Sequence, residues 1–135
     1  MDFLADTGFL IDLWRQVRQP GQAMRFAKAN AHRQVGMCWI VEGEFLSGSV
    51  LADHDPGLVK SFLGRYPIVH SNSAITRQYA RLFADLRRRN QLIGPNDLWI
   101  AATARASGAV LYTCNGKDFD WIDPSYITVV HVRQA

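Results

Sequence analysis

Asp6 directly follows the apolar run Phe3-Leu4-Ala5, Asp97 opens a helical segment after Gly94-Pro95-Asn96, and Asp118 comes shortly after Leu111-Tyr112-Thr113. If those apolar runs are strands of one parallel sheet, all three acids can reach a single sheet edge, where ligands of such folds bind. Glu44 lies in the apolar segment Trp39-Ile40-Val41-Glu42-Gly43-Glu44-Phe45-Leu46. An acid is expensive to bury in such a segment unless a positive group compensates it. Carboxylates gathered without lysine or arginine beside them repel one another, and a hard divalent cation removes that cost. Oxygen-only ligands select magnesium or manganese over zinc. The four histidines, His32, His54, His70 and His131, show no metal-ligand spacing. Taken singly, Asp6 and Asp97 also suit helix N-termini, Glu44 a solvated face and Asp118 a turn. Composition alone does not name the reaction.

The elements that must carry these acids are short. The pattern predicts a strand at 3–5, a helix from Thr7 to Arg18, a second helix from Pro20 towards Asn30, and a strand at 35–38. A helix from Val41 to Ala52, another from Pro56 to Leu63 and a strand at 68–70 follow. Ser73 is a plausible N-cap for the clearest helix, in which Ile75, Tyr79, Leu82, Phe83 and Leu86 share a face that should be core. Asn96 is placed to cap a helix over 97–106 that Gly108 stops, and strands at 109–113 and 128–132 complete the chain. Short, uniformly apolar strands, each followed by helix, imply an α/β fold: a three-layer α/β/α sandwich on a short parallel sheet covered on both faces. The 135 residues suit a single domain over 1–135, without repeat, low-complexity tract or linker.

Fifteen Lys plus Arg against twelve Asp plus Glu give a net charge of +3. With the four candidate acids committed to a cation, fifteen basic residues face eight acids, or +7, a balance that suits a polyanionic substrate. Arg87-Arg88-Arg89 is the densest basic cluster and equally suits a solvated helix end. No apolar run approaches the roughly 18 residues needed to cross a bilayer. Met1-Asp2-Phe3-Leu4-Ala5-Asp6 lacks the positive charge and cleavage site of a signal peptide, so a cytoplasmic protein is expected. Cys38 and Cys114 are too few and too far apart for a disulfide framework or a CxxC motif, and read as reduced, small buried residues.

Four segments, Leu4-Ala5-Asp6-Thr7-Gly8-Phe9-Leu10-Ile11-Asp12-Leu13, Glu44-Phe45-Leu46-Ser47-Gly48, Gly94-Pro95-Asn96-Asp97-Leu98-Trp99-Ile100-Ala101-Ala102 and Thr113-Cys114-Asn115-Gly116-Lys117-Asp118-Phe119, resemble in order and spacing the PIN-domain toxins of the VapC type. The resemblance spans nearly the whole chain. It implies a PIN-like fold, magnesium-dependent cleavage of RNA, a homodimer, and inhibition by a cognate antitoxin in a type II toxin–antitoxin pair. By position it makes Asp6, Glu44 and Asp97 the principal metal-site acids and Asp118 the fourth, with Asp120 a weaker substitute. Thr7, Thr113 and Asn115 would support them from outside the ligand shell. Two departures stand out: Gly8 replaces the family's usual asparagine, and Glu42 accompanies Glu44 but two residues away, off its helix face.

The chemistry so implied is metal-assisted phosphodiester hydrolysis on one or two ions. Single-stranded loops, as in tRNA or rRNA, are the expected targets, because an A-form helix hides its base edges from side chains. Arg15, Arg18, Arg87, Arg88, Arg89 and Lys117 are candidates for the RNA backbone; Trp99 or Trp121 could stack on a base, although core is the commoner fate of a tryptophan. Phe9, Leu13, Trp14, Met24 and Phe26 could form the antitoxin groove or be internal. One rival is a non-catalytic PIN-like module that binds RNA or protein. The remote one is an aspartic protease, from Asp6-Thr7-Gly8, which requires a mostly β chain.

Overall fold

In the computed structural model, residues 1–114 and 117–132 are described, the side chain of Asp118 excepted. Five parallel strands form one sheet, β1 (Phe3–Ala5), β2 (Val35–Cys38), β3 (Ile68–Val69), β4 (Val110–Thr113) and β5 (Val129–His131), in the order β3-β2-β1-β4-β5. The strand Phe3-Leu4-Ala5 is central because it is apolar throughout and buried on both faces, with Leu4 and Ala5 wholly inaccessible. It pairs Leu4 with Gly36 on one side and with Leu111 on the other. Six helices flank the sheet: α1 (Thr7–Arg15), α2 (Gln22–Ala29), α3 (Trp39–Leu51), α4 (Pro56–Leu63), α5 (Ser73–Arg88) and α6 (Pro95–Ser107). This is the expected α/β architecture, and it excludes the mostly β protease. No helix among the described residues is long and apolar enough to cross a membrane.

The strand order reverses at β1, since the chain moves outward from it to β2 and β3 on one side and to β4 and β5 on the other. Such a reversal opens a crevice beyond the carboxyl ends of the two central strands, here β1 and β4. Asp6 follows β1 directly, and Thr113 is the last residue of β4.

Several local expectations are corrected. α1 ends at Arg15, and Gln16 folds back so that its Oε1 accepts from the amides of Gly21 and Met24; α2 therefore starts at Gln22 and Pro20 stays outside it. Asn72 and not Ser73 caps α5, its Oδ1 accepting from the Ile75 amide at 2.9 Å. Of the α5 face, Ile75, Leu82 and Leu86 are core while Phe83 remains 39% exposed. α6 begins at Pro95 with Gly94 at its cap, which releases the Asn96 side chain for another use. Gly108 stops α6 as expected, in the left-handed conformation at φ 64° that glycine adopts without strain.

Two glycines make this packing testable. A Cβ at Gly36 in β2 would stand 2.9 Å from the Pro67 carbonyl oxygen, whereas one at Gly43 in α3 meets nothing within 4 Å. Denaturant titration should show Gly36→Ala destabilised by about 1–3 kcal/mol through overpacking. Gly43→Ala should be stabilised by about 0.5–1 kcal/mol through helix propensity.

Candidate active site

Asp6 has two structural duties at once. Its extended backbone makes it the N-cap of α1, and its Oδ1 accepts from the Phe9 amide at 2.8 Å. Its Oδ2 accepts a hydrogen bond from the Thr113 hydroxyl, so the ends of the two central strands are clasped by one carboxylate. The Cys114 amide also hydrogen-bonds this group. The helix-start and site readings of Asp6 are therefore compatible. At 6% exposure, burial dominates its chemistry: desolvation pushes its pKa up to about 6 against the three hydrogen bonds that lower it, and the charge of nearby Asp12 pushes the same way.

Glu44 meets this cluster from α3. Its side chain is exposed rather than buried, so the cost expected of a buried acid in that helix is not incurred. Thr7 Oγ1 donates to Glu44 Oε1 at 2.6 Å, and Asn96 Nδ2 approaches Oε2 at a long 3.4 Å. Because Thr7 adjoins Asp6 and Asn96 adjoins half-buried Asp97, these contacts place Glu44 beside the amino ends of α1 and α6. Thr7 and Thr113 thus hold the carboxylates by donated hydrogen bonds. Asn115 and Gly116 lie outside the described residues, as does the side chain of Asp118, whose backbone belongs to the 3-10 turn Lys117–Trp121. Asp120 approaches His131 at 3.6 Å on the surface. Among the described residues no three His, Cys, Asp or Glu side chains stand close enough together to hold a metal ion.

Two participants escaped sequence reasoning. Asp12 is 5% exposed, an acid inside the face of α1 that Phe9, Leu10 and Leu13 bury. Cys114 is half-buried rather than buried as expected, and desolvation first, then Asp12, hold its thiol pKa well above the ordinary range. The Asn96 contact was hidden by its assignment as a cap. A Cβ at Gly8 would sit 3.7 Å from Asp6 Oδ1 and 4.0 Å from the Cys114 Cβ, ordinary contacts that leave room for a side chain.

The cationic candidates separate. Arg89 is tied to Asp85 at 2.8 Å, to Gln91, and to the carbonyl of Trp121, which docks the arginine-bearing end of α5 beside the turn that leaves β4. Arg87, Arg88 and Lys117 are exposed. Arg15 and Arg18 instead line a groove of about 700 Å³ with Ile11, Trp14, Phe45 and Phe62, beyond the end of α1 opposite Asp6. Phe9 and Leu13 are core, and Met24 and Phe26 are absent from that groove's lining. Trp99 stacks on Tyr79 with centroids 3.9 Å apart, whereas Trp121 is 50% exposed.

The PIN domain family matches residues 3–123. The chain belongs to the PIN-domain family. It is 27% identical over 125 residues to ribonuclease VapC1 of Haemophilus influenzae strain R2866, covering 90% of this chain and 92% of that protein. Over 86 residues it is 35% identical to ribonuclease VapC2 of Rickettsia felis, covering 55% of this chain and 64% of the relative. The solved VapBC2 structure from Rickettsia felis, bound to a DNA fragment from their promoter, contains a chain of TM-score 0.80 at 25% identity, covering 97% of this chain and 98% of that one. A chain of VapBC-1 from nontypeable Haemophilus influenzae shares the fold at TM-score 0.80 and 23% identity, with the same coverage.

The raised pKa of Asp6 gives a signed prediction. Its folded value, about 6, lies above its ordinary 3.8, so the stability it contributes is complete below about pH 3.8 and is lost as pH rises through about 6. Chemical denaturation of metal-free protein should show wild type losing on the order of 2–3 kcal/mol between pH 4 and 7 relative to Asp6→Asn. Parallel profiles would contradict this environment for Asp6.

Proposed function

We propose that this PIN-domain protein is a magnesium-dependent endoribonuclease and the toxin of a type II toxin–antitoxin pair. The observation that carries the reading is the buried Asp6 carboxylate, clasped by Thr113 at the strand-order reversal, with Glu44 held by Thr7 beside it. The donors are oxygen only, and Asp6 resists ionisation, so a hard cation suits them: it would favour the charged form that burial opposes. Asp6 would hold magnesium, with manganese as a substitute, and Glu44, Asp97 and the fourth acid Asp118 would have to draw in on the ion, because among the described residues no three acids already stand close enough to enclose one. When bound, the ion supplies Lewis-acid activation of water and neutralises charge on the leaving oxygen of a phosphodiester.

The chain's own residues prepare that chemistry. Thr113 and the Phe9 amide fix the Asp6 oxygens, Thr7 fixes Glu44, and no protein nucleophile is needed. Exposed Arg87, Arg88 and Lys117 can contact phosphates, and the exposed Trp121 offers a face to an unstacked base of a tRNA or rRNA loop. The named VapC ribonucleases that resemble this chain over nine-tenths of its length support the nuclease role, and the VapBC assemblies support an antitoxin partner. The groove between α1, α3 and α4, apolar at Trp14, Phe45 and Phe62 and rimmed by Arg15, Arg18 and Arg65, suits an antitoxin helix with acidic flanks. A homodimer, as the resemblance implies, belongs to the same reading.

Purified wild type should cleave structured RNA with magnesium and lose at least about 100-fold in rate with EDTA or in Asp6→Asn, as removal of an essential electrostatic group does. Cleavage that survives either treatment refutes the mechanism. Expression of wild type should arrest growth and Asp97→Asn should relieve the arrest; an equally toxic variant would separate toxicity from catalysis.

A further inference from the structure

The arginine-bearing end of α5 is shaped by the way the helix stops. Asn90 takes a positive φ of 56°, and the Gln91 amide turns back to the Leu86 carbonyl at 2.9 Å, which folds the chain over the last helical turn. Arg89 stands at this fold with its guanidinium committed to the protein. Nε and Nη2 donate to Asp85 Oδ2 at 3.2 and 2.8 Å, Nη1 donates to Gln91 Oε1 at 2.8 Å, and Nη2 also donates to the Trp121 carbonyl oxygen at 2.8 Å. These bonds use most of the donors of the fork. The last of them reaches across 32 residues and ties α5 to the outer end of the turn Lys117–Trp121. Phe119 and Ile122 anchor that turn from inside, and the Ile122 amide bonds the Phe119 carbonyl at 3.1 Å, so the turn does not need Arg89 in order to form. The Trp121 side of it is the open side, 50% exposed.

We propose that Arg89 is a positioning residue and not a phosphate contact: by holding the Trp121 carbonyl it fixes the exposed Trp121 ring against the basic end of α5, where an unpaired RNA base stacks on it. The proposal rests on the nuclease reading for the presence of RNA. Bidentate recognition of a phosphate needs two parallel N–H groups, and the Nε–Nη2 edge that would supply them already faces Asp85, whose charge repels an anion. Arg87 and Arg88, exposed on the same helical turn, carry no such commitment to an acid among the described residues. A surface ion pair such as Arg89–Asp85 adds little to stability, so the consequence of the network is geometric. A tryptophan whose backbone is already held loses less conformational freedom when a base docks, which raises affinity without a new contact.

The test uses full-length Arg89→Ala, Arg89→Lys, Trp121→Ala and the double variant Arg89→Ala with Trp121→Ala, with Arg87→Ala for comparison. The probe is a labelled RNA hairpin with an unpaired loop, in EDTA to prevent cleavage. In NMR spectra of the free proteins the Trp121 indole N–H resonance, assigned by its loss in Trp121→Ala, should move in both Arg89 variants while those of Trp14, Trp39 and Trp99 stay in place. Hairpin affinity should fall roughly 5–10-fold in Arg89→Ala, within the worth of one stacked base. Arg89→Lys should lose as much, because lysine keeps the charge but lacks the fork. The slope of log Kd against log salt should stay at the wild-type value in both, whereas Arg87→Ala should lower it by about 1, as loss of one phosphate contact does. The double variant should bind no more weakly than Trp121→Ala. A lysine variant that binds like wild type, a lowered salt slope in Arg89→Ala, additive losses in the double variant, or an unmoved Trp121 indole overturns the proposal. If wild type binds no hairpin, the RNA reading fails, and the indole resonance alone decides whether Arg89 sets the turn.

Discussion

A carboxylate buried at the end of the central strand constrains everything around it. Asp6 must be hydrogen-bonded because it is nearly inaccessible, and it satisfies this by taking the Phe9 amide in the first turn of α1 and the hydroxyl that ends β4. Each such bond to a charged group contributes on the order of 1.5–3 kcal/mol. These contributions do not cancel the desolvation penalty, as the upward shift of its pKa shows. The fold thus keeps an acid in a place where its charge is unwelcome. A region that retains such a cost is where function is sought.

The sheet explains why that place exists. In a sheet whose strand order reverses at β1, ligands bind beyond the carboxyl ends of β1 and β4, the end where α1 and α6 have their amino termini. α1 begins beside Asp6, and the first turn of α6 carries Asp97. Glu44 completes the edge from the second turn of α3, held by Thr7 rather than by burial. Partial positive charge from the helix starts eases the gathering of like charges, but only a bound cation would neutralise it.

Much of this was legible in the sequence. Phe3-Leu4-Ala5, its partner strands and the stop at Gly108 follow from uniform apolarity and from glycine's access to positive φ, both local properties. The positions of Asp6 directly after β1 and of Asp97 in the first turn of α6 also follow from the sequence. The failures share a cause, which is dependence on distant partners. Asn96 has the composition of a cap, yet α6 begins one residue before it and its side chain turns to Glu44, 52 residues away. Asp12 is an acid on the buried face of α1, a placement that no local pattern of the helix announces. Phe83 falls on the apolar face of α5 by periodicity, yet the packed molecule leaves it 39% exposed.

The central claim is that the acids at this edge exist to hold a divalent cation. Anomalous diffraction from crystals soaked in manganese tests it most directly. The expected result is a single-site or paired peak at coordination distance from Asp6, on the side facing Glu44, that disappears in Asp6→Asn crystals. A peak elsewhere on the molecule, or none at a manganese concentration that supports RNA cleavage, would contradict it.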